Sequence, residues 1–102
     1  PRQIYTLTED GKAELLRWLR EPVQHTREIR LEFLVKLYFA RLLDPELAAD
    51  LIRGQLDRSR DVESMLETRL ADSSVPAGDF GRQVLDLRLL QTRAAIEWLE
   101  SL

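Results

Sequence analysis

The chain has 102 residues but no cysteine, one histidine and one methionine. Without cysteine there is no disulfide, no thiolate nucleophile and no zinc–thiolate site, which suits a reducing cytoplasm. The single histidine, His25, lies in a polar connector, where the ordinary role is that of a solvated loop residue. It has no Ser and Asp grouping to serve in nucleophilic catalysis. The four glycines are isolated, so no Gly-rich loop can cradle a phosphate. The carboxylates have no cage-like spacing for a metal ion. No catalytic, cofactor or metal site is therefore expected. No apolar run approaches the roughly 20 residues of a membrane span, and no signal peptide is visible.

Charge of one sign is also scarce. The formal net charge is −3. It divides into +2 over residues 1–43, −4 over residues 44–72 and −1 over residues 73–102. No segment is basic enough to grip a phosphate backbone by itself.

What is present is a helical vocabulary. The residues are 44% hydrophobic and 32% charged, as in a folded domain with a charged surface. Leu, Ala, Glu and Arg dominate, and β-branched residues are few, which favours helix. The length suits one small domain with one core.

The stretch from Arg30 to Leu43 is apolar on nearly every side. Glu32 and Lys36, one turn apart, form its only narrow polar stripe. A helix so apolar must be covered by neighbours, so it is expected at the centre, with every other element packed on it. Tyr38 and Phe39 are then core residues.

Residues 1–7 alternate weakly and read as a short strand. A lone strand cannot satisfy its own backbone. No second strand follows, so a preceding segment carrying its partner is expected. Thr8 then reads as an N-cap, with Glu9 and Asp10 in the first turn. Leu15, Leu16, Trp18 and Leu19 share one face, and Glu21-Pro22 ends this first helix.

Asp44-Pro45 marks the start of a third helix, which runs to about Leu70. Leu47, Ala48, Leu51, Ile52, Leu56, Val62, Met65, Leu66 and Leu70 occupy one half of it. Gln55 and Ser59 interrupt that half. They either form a polar layer that sets register against a partner helix or sit at a gap or rim. The carboxylates opposite read as a solvated face. Residues 72–79 read as a loop.

The last helix, from Phe80 almost to Leu102, carries two apolar stripes. One holds Phe80, Val84, Leu87, Gln91, Ala94, Ala95, Trp98 and Leu102. The other holds Leu85, Leu89, Ile96 and Leu99. A terminal helix needs one stripe for its own domain, and a second left open points to a partner.

Two stretches resemble the PadR family of bacterial transcription regulators. Tyr5-Thr6-Leu7-Thr8-Glu9-Asp10-Gly11-Lys12-Ala13-Glu14-Leu15-Leu16-Arg17-Trp18-Leu19 is similar to the passage from the last wing strand of a winged-helix domain into the family's C-terminal domain. Leu31-Glu32-Phe33-Leu34-Val35-Lys36-Leu37-Tyr38-Phe39, followed by Asp44-Pro45-Glu46 and a long helix, resembles the larger, multi-helix type of that C-terminal domain. Ile96-Glu97-Trp98-Leu99 is similar to its end. The resemblance implies a cytoplasmic, DNA-binding regulator, usually a repressor, that acts as a homodimer through this domain. Some relatives sense small aromatic or hydrophobic effectors. The helix-turn-helix itself is not in this sequence, so DNA would be reached through an N-terminal domain outside it. No DNA contact is assigned, Arg2 included.

The expected architecture is all-α: a four-helix domain over residues 8–102, with a long third helix and a C-terminal dimerisation helix, preceded at 1–7 by the end of a wing strand. The expected dimer contacts are Leu51, Phe80, Val84, Leu87, Gln91, Ala94 and Trp98, with Trp98 packing inside its own chain as the alternative. Trp18, Tyr38, Phe39 and Trp98 are candidates to line a pocket for an aromatic effector, or else they fill core. A different reading is a free-standing helical interaction module unrelated to DNA.

Overall fold

The computed structural model of the chain describes residues 8–23, 31–72, 74 and 76–102. They form four helices, α1 (Glu9–Arg20), α2 (Glu32–Leu43), α3 (Pro45–Leu70) and α4 (Phe80–Glu100). The domain is all-α, and no strand occurs among the described residues. The expected wing strand at 1–7 lies outside them, as do Arg2, His25 and Arg30.

Local chemistry accounts for the helix ends. The Thr8 hydroxyl accepts from the Gly11 N–H at 3.0 Å, and Glu9 and Asp10 fill the first turn of α1. Asp44 accepts from the Glu46 N–H at 3.0 Å, and Pro45 takes the first position of α3, where its missing N–H costs nothing. The Asp79 carboxylate accepts from the Gly81 N–H at 2.9 Å and starts α4. The turn before it needs a left-handed residue, and Gly78 supplies it at φ +94°.

The organising element is α3, not α2. Helices α1, α2 and α4 all pack on α3, whose 26 residues run about 39 Å. Two apolar clusters divide it. The first joins Leu19, Val23, Phe33, Leu37, Ala40, Leu47, Ala48, Leu51 and Leu99 from all four helices and the α1–α2 connector. The second joins Val62, Leu66 and Leu89, with Leu70 and Leu85 against them, from α3 and α4 alone. The domain therefore has a thick end of four helices and an arm that is a bare two-helix hairpin.

Helix α2 corrects the expectation of a covered central helix. Its inner row is Phe33, Lys36, Leu37 and Ala40, all buried. Its outer row is Leu31, Leu34, Val35, Tyr38, Phe39 and Leu42, all exposed. Tyr38 and Phe39 are thus surface residues, 63% and 47% exposed, and not core. Apolarity around a helix states which faces can be buried; among the described residues, neighbours cover only one of them.

Within the polar stripe of Glu32 and Lys36, the lysine is buried, 2% exposed. Its ammonium donates to the Glu21 carbonyl oxygen at 2.7 Å, lies 3.9 Å from a Glu32 carboxylate oxygen and sits 4.7 Å from the Trp18 ring centroid. These contacts offset the cost of removing the charge from water. Gln55 and Ser59 are also buried. Neither forms a rim, and the Gln55 amide serves the backbone of Val23 in the same chain.

Candidate dimer interface

Helix α4 presents three longitudinal strips. The inner strip is Leu89, Thr92, Ile96 and Leu99, with Leu85 and Ala95 at its margins. It faces α3 and the thick end. Thr92 is fully buried, and its hydroxyl donates to the Arg88 carbonyl at 2.8 Å.

One flank is closed by charge. Arg93 donates to Glu63 at 3.2 Å and Glu67 at 2.8 Å, and Arg60 reaches Glu100 at 3.4 Å. The hydrogen bond that Arg93 donates to the Glu67 carboxylate is the main reason the Arg93 pKa is raised. These pairs are solvent-exposed, so they set side and register more than stability.

The other flank is apolar and uncovered. Phe80 is 78% exposed and Leu87 57%. Val84, Trp98 and Leu102 are exposed in the same row, with Gln91 and Ala94 between them. Six of the seven expected contact residues, Phe80, Val84, Leu87, Gln91, Ala94 and Trp98, thus share one accessible face. Leu51 does not join them. It is fully buried in the thick-end core of its own chain and has no surface to offer a partner. Trp98 has two environments, because its ring meets Phe33 edge to face at 5.9 Å while part of it remains accessible.

Three uncovered features escaped the sequence pattern: Leu90 on α4, Met65 on α3 and the outer row of α2. The signal for the last was present, since a short helix apolar all round exceeds what one neighbour can bury.

The four rings considered for an effector pocket do not converge. Tyr38 and Phe39 pair with each other at 5.5 Å, Trp18 lies against Lys36, and Trp98 meets Phe33. An open cavity of about 290 Å³ sits instead at the α3–α4 turn, lined by Leu70, Ala77, Gly78, Arg82, Gln83 and Asp86. Among the described residues, no His, Cys, Asp or Glu cluster could hold a metal ion. No described helix is long and apolar enough to cross a membrane.

The family model described as "Virulence activator alpha C-term" matches residues 29–102, which include α2, α3, α4 and their uncovered faces. The chain belongs to the virulence activator alpha C-terminal family. The chain is also similar to the "Negative transcriptional regulator PadR" of Bacillus subtilis (strain 168), at 33% identity over 111 aligned residues. That alignment covers 99% of this chain and 60% of the relative. No solved structure matches. This virulence activator alpha C-terminal domain is a PadR-type C-terminal domain, as the motifs at 5–19 and 31–39 imply. Helices α2, α3 and α4 lie within the matched region, and α1 precedes it.

Proposed function

We propose that the chain is the dimerisation domain of a DNA-binding transcription regulator of the PadR type, a repressor in the cytoplasm with no catalytic role. The observation that carries this reading is the uncovered apolar flank of α4 beside a flank closed by ion pairs. An apolar row left in water on one side of a helix is the surface a partner covers. The relative's name supports a negative regulator. DNA is bound by a winged-helix domain outside this chain, and the dimer spaces two such domains over a two-fold operator.

Leu87→Glu tests the reading. The side chain is exposed, so the monomer should stay folded by circular dichroism. A carboxylate on the apolar flank should raise the dimer dissociation constant at least tenfold in sedimentation equilibrium. An unchanged constant would remove this flank from the interface.

A further inference from the structure

We infer that Lys36, Gly54 and Gln55 form a clasp that fixes the direction of α1, and so positions the domain that precedes it. What α1 carries rests on the proposed function; the clasp itself is a property of this chain.

Three consecutive residues after α1 are each held by a different residue of α2 or α3. The Glu21 carbonyl oxygen accepts from the Lys36 ammonium at 2.7 Å. The Pro22 ring lies over Gly54, its Cγ 3.4 Å from where a Cβ would stand. The Val23 N–H and carbonyl both pair with the Gln55 amide, at 2.8 and 3.3 Å. Gly54 sits mid-helix, where glycine weakens α3 relative to alanine. Its φ is not positive; among the described glycines only Gly78 has that conformation. What Gly54 supplies is room, because even an alanine Cβ would already touch the ring.

The rest of α1 is held loosely. Leu19, in the last turn, is its one buried residue, with Leu15, Leu16 and Trp18 half-buried against the same cluster. Glu9, Asp10, Lys12, Ala13 and Glu14 are exposed. Apolar burial is non-directional, so it holds α1 down without aiming it. Hydrogen bonds prefer a near-straight geometry, so the clasp does the aiming. Over the 12 residues of α1, about 18 Å, a tilt of about 10° at the clasp carries the start of the helix by about 3 Å. Under the proposed function that start leads from the DNA-binding domain. Two such domains must keep a fixed separation to meet a two-fold operator.

The absence of cysteine allows spin labels to be placed at chosen sites. One pair, Lys12→Cys with Asp61→Cys, reads α1 against α3. A control pair, Glu46→Cys with Glu97→Cys, reads α3 against α4. All four side chains are exposed. Labelled chain is diluted with unlabelled chain, so that double electron–electron resonance reports distances within one copy. Lys36→Met and Gln55→Leu should each shift or broaden the Lys12–Asp61 distance by about 3 Å or more, the lever displacement above, and leave the control pair unchanged. Gly54→Ala, whose Cβ fits against the ring, should leave both pairs unchanged. Circular dichroism checks folding, and if Gln55→Leu does not fold, Lys36→Met decides. An unchanged Lys12–Asp61 distance in the folded variants would overturn the inference and leave α1 to its apolar contacts. Equal movement of both pairs would overturn it too, as general loosening. Light scattering on the same samples follows self-association separately. A monomer whose α1 distance still depends on the clasp would remove the proposed dimerisation and leave this inference standing.

Discussion

Gln55 on α3 holds both backbone polar groups of Val23. Its Oε1 accepts from the Val23 N–H at 2.8 Å, and its Nε2 donates to the Val23 carbonyl at 3.3 Å. The side chain is 1% exposed and Val23 is 3% exposed, so water cannot replace either bond. One amide thereby pins the end of the α1–α2 connector to the long helix. Gln55→Leu keeps the volume and strands two buried groups. It should cost about 2–6 kcal/mol, given about 1–3 for each of the two unsatisfied groups. Urea unfolding measures it, and a loss within about 0.5 kcal/mol, the ordinary range of a surface change, would mean the connector finds other partners.

Lys36 fixes the same region from α2. Its ammonium caps the Glu21 carbonyl against the Trp18 ring. Lys36→Met retains the apolar stem and loses the hydrogen bond, for an expected cost of about 1–3 kcal/mol. Lys36→Ala adds a cavity and should cost more. Equal losses for the two would assign the whole effect to the charge. The Trp18 emission should also shift in both variants.

The charged surface of α1 gives a pH signature. The hydrogen bond from Arg17 holds the Glu14 carboxyl below its ordinary value of 4.5. A carboxyl lowered in the folded state contributes stability above pH 4.5, and that contribution fades as pH falls through the lowered value. Both groups are solvent-exposed, so the effect is small and screened by salt. An NMR titration of Glu14 should show a depressed midpoint that returns towards 4.5 in Arg17→Gln. Equal midpoints in the two proteins would contradict the pairing.

The helix boundaries were legible because they rest on local chemistry. Thr8, Asp44-Pro45 and Phe80 mark them within a residue of where the helices begin. The two stripes of α4 were legible for the same reason, and burial places the Leu89, Ile96 and Leu99 stripe inward. What failed was α2. Its outer row is wholly apolar and its inner row carries Lys36, so periodicity could not say that only the inner one is covered. Lys36 and Gln55 were misread because their partners, the Glu21 carbonyl and the Val23 backbone, come from the connector and have no local signature. Leu51 was misplaced because an apolar position on a long helix reads alike whether its own domain or a partner covers it.

Trp98 joins the two apolar surfaces. Its edge-to-face contact with Phe33 stabilises the domain by about 0.5–1.5 kcal/mol beyond area burial. Its accessible part lies on the α4 flank. Trp98→Ala should therefore lower the denaturation midpoint and raise the dissociation constant at least tenfold, or about 1.4 kcal/mol. A stability loss with unchanged association would place Trp98 wholly within its own chain.

The central claim is that the uncovered apolar faces belong to a dimer. Its most direct test is the mass of the chain in solution, by light scattering over a wide dilution series. A species at twice the 11.9 kDa chain mass, giving way to monomer only on dilution, is the predicted result. A mass of 11.9 kDa at every concentration would contradict the claim.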